Sequence, residues 1–174
     1  MSAASGHRTY LLEHRAFTTY SPETPSAAFG PFTSFVALWH AKRRNGRLPA
    51  WRDFDFHDFK GWHGMIHVDE LVSLEPFEMR CRLWGSQLTE ILGIDETGKL
   101  LSESPAAVEP GLIDFTRSIV VQGRIGLNVG RVWSYQRAIE LTVVKLPCAS
   151  DGVNVDTILS VSKEDYALTL DRND

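Results

Sequence analysis

An α+β fold, in which an antiparallel sheet carries short helices on one face, is predicted by three observations. Phe77, Met79, Cys81 and Leu83 alternate with Glu78, Arg80 and Arg82, the period of two of a strand that buries one side. Directly after it, Ser86 can cap a short helix in which Leu88, Ile91 and Leu92 share a face, and Gly93 tolerates the positive φ needed where that helix stops. From Arg124 onward, three further runs of strand character follow one another, with Asp151 and Gly152 supplying turn chemistry before the last.

The remaining elements are placed around that frame. Residues 1–31 are rich in Ser, Thr, Ala and Pro, with Pro22, Pro25 and Pro31 interrupting any regular helix, so they read as an N-terminal arm that Leu11, Leu12 and Phe17 could anchor. Residues 32–62 form a helix and leader: Phe32, Phe35, Val36 and Trp39 have helical spacing, Lys42, Arg43 and Arg44 suit a helix C-terminus, and Gly46 ends the run. The main domain covers residues 63–165 and a tail covers 166–174. Within the domain, Met65 to Val68 starts a strand, and Pro110 precedes a helix over Leu112 to Gln122 closed by Gly123. Strands are expected over Arg124 to Arg131, Val132 to Leu146 and Val153 to Val161. In the long one, Trp133, Tyr135, Ile139, Leu141 and Val143 point one way and Ser134, Gln136, Glu140 and Thr142 the other, as in a sheet with one wet face.

The order of these signals resembles the PAS superfamily. Arg82, Leu83, Trp84 and Gly85, then Leu88, Thr89, Leu92 and Gly93, then Thr97, Gly98, Lys99, Leu100 and Glu103 carry the resemblance. Trp39, Arg43, Gly46 to Pro49 and the Asp53 to Asp58 run look like the leader of a bacterial subgroup of small stand-alone PAS-like proteins. Glu140, Leu146, Pro147, Asp151, Gly152, Val155 and Asp156 resemble its closing hairpin. Phe56 and His63 stand where that subgroup usually has proline. The resemblance runs from about Phe32 to Glu164 and implies a five-stranded antiparallel sheet, short helices on one face and an extra N-terminal helix. It also implies a cavity between sheet and helices where a small molecule can bind, a homodimer, and a sensory or regulatory role. Met79, Cys81, Leu83, Leu88, Leu92, Phe115, Ile119, Trp133, Tyr135 and Arg137 are the expected lining.

The cofactor is left unknown. A flavin photoreceptor of this family would need a reactive cysteine in an NCRFLQ-like helix motif, which is absent here, and Cys81 sits in mid-strand. Haem would need an axial ligand on Leu112 to Gln122, which has no His, Cys or Met. Arg137, on an otherwise apolar face, either forks to a ligand carboxylate or is turned to solvent by a bulge or at the sheet rim. His63 and His67 have the i, i+4 spacing of a helical metal pair, but Gly61 and Gly64 argue for a loop, in which the nearby aspartates cap turns.

Composition narrows the function. In 174 residues with 43% hydrophobic content there is enough for one real core, and a net charge of -4 gives no general attraction to nucleic acid or anionic lipid. Two cysteines and no membrane-length apolar run point to a reducing, cytoplasmic setting. Neither a GxSxG elbow nor a phosphate-cradling GxxxxGK[ST] is present, and Cys148 after Pro147 has no neighbouring histidine to activate it. Taken with the sensory role that the PAS resemblance implies, this leads to the expectation of a non-enzymatic sensor. With no kinase, cyclase or DNA-binding segment after Asp174, its signal is expected to pass to a separate signalling protein or through self-association. A ligand-free adaptor and a small cupped enzyme are the alternatives.

Overall fold

The computed structural model describes residues 12–109, 111–134 and 137–164, with the side chains of 12–15 and 132–138 excepted. The elements in chain order are β1 (Leu12–Tyr20), α1 (Thr33–Lys42), β2 (Ile66–Leu74), β3 (Phe77–Trp84), α2 (Ser86–Leu92), α3 (Leu112–Gln122), β4 (Ile125–Ser134), β5 (Arg137–Cys148) and β6 (Thr157–Glu164). Short 3₁₀ turns fill much of the connections, among them Ser26–Phe32, Phe56–Phe59 and Leu101–Glu103. All six strands join one antiparallel sheet in the order β1-β4-β5-β6-β2-β3. This is the expected α+β fold, an antiparallel sheet with short helices on one face: after β1 come two strands, a run of small helices, then three strands that return beside β2.

The sheet has six strands rather than five because residues expected in a loose arm form β1. Thr18 and Thr19 are β-branched and suit an edge strand; they pair with Leu127 and Gly126 of β4. Phe17 fastens the strand by packing on Phe115 of α3 at 4.7 Å between ring centroids. Helix α1 stops at Lys42, before the expected Asn45. Asn45 (φ 53°) and Gly46 (φ 72°) then reverse the chain in left-handed conformations. Arg43 secures that reversal by donating to the carbonyls of Pro22 and Gly46, both at 2.9 Å, and to Glu23 at 2.6 Å.

The expected wet face is not wet. Phe29, Phe32, Phe35, Val36, Trp39 and Phe59 pack on Ile66, Val68, Val144, Leu146, Leu159 and Val161, so α1 and its flanking turns cover what we call the outer face. Trp39 is fully buried and its indole Nε1 donates to the Pro147 carbonyl at 3.0 Å, which ties α1 to β5. Aromatic side chains of this size contribute about 1.5–3 kcal/mol each on burial. The aromatic residues between Phe32 and Trp62 are thus largely spent on the protein's own sheet, although Phe56 remains 69% exposed. Helix α3 packs the opposite, inner face through Leu112, Phe115, Ile119 and Val120.

Two strand assignments change. The single long strand expected from Val132 to Leu146 is two strands, because β4 runs on to Ser134 and β5 starts at Arg137, with Ser134 paired to Arg137. Trp133 and Arg137 therefore belong to different strands. The last strand begins at Thr157; Val153, ahead of it, is 64% exposed. In β3, Val68 and Asp69 of β2 face Leu83 and Cys81, so Arg82 is an extra residue, a β-bulge. The bulge flips the alternation, so Leu83 joins the outer core and Trp84 takes the inner side.

Gly85, which follows, is closely hemmed in: an added Cβ would stand 2.2 Å from the Gly64 carbonyl oxygen. Gly85→Ala is expected to lower stability in urea unfolding by roughly 2 kcal/mol or more through backbone displacement. Gly98→Ala, with open space around it but a φ of +83°, should lose only about 1 kcal/mol.

Candidate functional site

The inner face of the sheet is polar where the outer face is apolar. One row crosses five strands, Gly126, Lys145, Ser160, His67 and Trp84, each opposite the next. The rows beside it add Asn128, Val143 and Ser162 on one side and Asp69 and Cys81 on the other. Above this floor lie α2, the 95–106 segment and the start of α3, contributing Leu88, Leu92, Leu100, Leu101, Ala106, Leu112 and Thr116. Between floor and roof is a cavity of about 120 Å³, the order of size of a void that accepts benzene.

The roof is tied to β3 by main-chain bonds. Cys81 N–H donates to the Lys99 carbonyl at 2.9 Å, Gly98 N–H donates to the Cys81 carbonyl at 2.7 Å, and Arg80 bridges Leu100 in antiparallel fashion. Gly98 turns the segment over, and Asp95 accepts from Thr97 N–H at 2.9 Å, a local turn that presents Glu96 inward. Glu96 is only 4% exposed.

Charged groups in this space come in neighbouring opposites. Burial pushes the Asp69 carboxyl up, while the Lys145 ammonium draws it back down. Burial likewise raises Glu96, opposed by Lys99 and a hydrogen bond from Ser104. His67 is held well below the ordinary histidine value, first by burial and then by Lys145, so its imidazole is neutral at pH 7 even with Asp69 Oδ2 3.6 Å from Nε2. Burial also pushes the Cys81 thiol up to about 12, and it donates to the Leu83 carbonyl at 3.3 Å, so it is no thiolate nucleophile.

Of the residues expected to line a pocket, Met79, Cys81, Leu88 and Leu92 border this cavity. Leu83 does not; the bulge sends it to the outer core. Phe115 and Ile119 sit in the adjoining α3 core rather than on the cavity wall. Tyr135 lies outside the described residues, as do the side chains of Trp133 and Arg137. Leu11, Pro110 and the 166–174 tail lie outside them as well. His63 opens a single 3₁₀ turn (His63–Met65), 2.7 Å from the Phe56 carbonyl, whereas His67 lies in β2, so the two share no helical face; among the described residues no three His, Cys, Asp or Glu side chains gather to hold a metal.

Sequence reasoning passed over Lys145, Asn128, Ser162, Glu96 and Thr116. A usable signal was present: Lys145 sits between Val144 and Leu146, and Ser160 between Leu159 and Val161. Such alternation marks one polar face, and that face turns inward here because aromatic residues of the N-terminal segment occupy the other.

A solved structure of an RNA-binding light-oxygen-voltage receptor superposes on this chain with a TM-score of 0.49 at 11% identity, covering 87% of this chain and 38% of the receptor chain. The chain thus spans well under half of that receptor. The sequence matches no family model and no curated protein. Among the described residues, no helix is long and apolar enough to cross a membrane.

Neutral buried His67 makes stability depend on pH in a definite direction. The unfolded chain takes up a proton near the ordinary value of about 6.5, and the native state takes it up only well below that. The stabilisation is therefore present above about 6.5 and lost as pH falls toward the folded value, by up to about 1.4 kcal/mol per pH unit. Urea unfolding of the parent and of His67→Gln between pH 7.5 and 5 checks this: the parent should lose ground to the variant as pH drops.

Proposed function

We propose that this chain is a PAS-like sensory module that binds a small molecule in the cavity between sheet and small helices and performs no catalysis of its own. The supporting observation is where its polar atoms lack protein partners. Six buried side-chain nitrogen or oxygen atoms among the described residues have none, and four of them, His67 Nδ1, Trp84 Nε1, Glu96 Oε1 and Asn128 Oδ1, belong to residues lining this one cavity. Folded proteins pair the large majority of such atoms. A cluster of exceptions around a hollow is what a guest's hydrogen bonds would complete.

Occupancy has a physical route outward. Along β5 and β6, cavity residues such as Lys145 and Ser162 alternate with Val144 and Val161, which carry α1, so a displaced floor moves the helix on the other side. The reading includes a homodimer or a separate signalling partner as recipient, a cytoplasmic setting consistent with two buried free cysteines, and membership of the bacterial stand-alone PAS-like subgroup.

Denaturing the purified protein and identifying released molecules by mass spectrometry, followed by thermal melts with candidate compounds, tests the reading. At a hundredfold excess over Kd a true guest stabilises by about 2.7 kcal/mol, roughly 5 °C or more at this chain length. Ala106→Phe, which fills the roof, should shrink that shift. No release and no stabilisation by any compound would leave a ligand-free adaptor.

A further inference from the structure

We infer that the cavity takes an uncharged molecule of roughly benzene size bearing both a hydrogen-bond donor and an acceptor, such as a carboxamide or lactam, with its apolar side under the leucine roof. This rests on the cavity being a binding site. Three features of the site converge on that chemistry.

The first is charge balance. Two carboxyl side chains, Asp69 and Glu96, and two ammonium side chains, Lys99 and Lys145, line the cavity, so the lining carries no surplus of either sign. His67 adds none, being neutral. A carboxylate guest would enter beside Asp69 and Glu96, and an amine guest beside Lys145 and Lys99; either would bring a charge into a largely buried site without a counter-charge of its own.

The second is the kind of polar atom left unmatched. Trp84 Nε1 can only donate, whereas Glu96 Oε1 and Asn128 Oδ1 accept; Asn128 is 2% exposed and Glu96 4%, so neither reaches bulk water. One carbonyl and one N–H or O–H on the same small frame would serve both kinds. The third is the roof. Leu88, Leu92, Leu100, Leu101 and Leu112 offer only hydrocarbon, which suits a guest polar on one side.

Benzamide, benzoate and benzylamine, which share a phenyl frame and differ in charge, separate the possibilities, with smaller isobutyramide, isobutyrate and isobutylamine as a second set. Binding is read by thermal shift and by the indole N–H resonance of Trp84, assigned with Trp84→Phe. The amide of a set should bind at least tenfold more tightly than its charged partners and move that resonance, and Asn128→Leu should weaken it about tenfold. Tighter binding of a carboxylate or amine overturns the neutral-guest inference and leaves the cavity reading standing. Silence from all six compounds, with Trp84 unmoved, overturns both.

Discussion

The aromatic layer between α1 and the outer face of the sheet is the constraint on which the rest of the structure depends. By burying Phe29, Phe32, Phe35, Trp39 and Phe59 against β2, β5 and β6, it provides a large apolar core without using the other side of those strands. The Trp39 to Pro147 bond fixes the helix at one position along β5. Because this core holds the central strands, the inner face is free to carry Lys145, Ser160, Ser162, Asn128, His67 and Asp69, groups that would weaken a fold relying on that face for its hydrophobic contact.

The small helices follow from the same division. Helix α2 has seven residues and is capped by Gly93 in the left-handed conformation, so it covers little area, and α3 covers the rest through a compact cluster around Phe115 and Ile119. The space left between them and the polar floor becomes the cavity. A single long helix laid over the sheet would have to bury or neutralise that floor; several short ones can straddle it.

Much of this was legible in the residues. Period-two alternation located β3, the Ser86–Leu92 and Leu112–Gln122 helices stand where apolar spacing and their closing glycines put them, and Asp151 with Gly152 does turn the chain before β6; Ser86, expected as a cap, is instead the first helical residue, with Gly85 at the N-cap and no side-chain cap. What alternation cannot specify is which side of a strand meets which partner. Val144 and Leu146 continue the side of β5 that alternation marks as wet, yet with Leu159 and Val161 they pack beneath α1, a partner remote in sequence. Leu83 was misplaced for a related reason: one bulged residue, Arg82, inverts every side chain beyond it, and no local propensity announces a bulge. Strand β1 was hidden by prolines further along the segment, since its pairing with β4 is set by tertiary proximity rather than by its own composition.

The main-chain bonds that seat residues 98–100 on β3 have a consequence for solubility. Strand β3 forms one border of the sheet, and borders of this sort are templates on which other chains can add strands. Here the loop that carries Glu96 and Lys99 occupies part of that template itself, at Arg80 and Cys81. Without that loop in place, the unpaired N–H and C=O groups of β3 would form a seam on which a second chain could add a strand, so residues 98–100 also guard against self-adhesion.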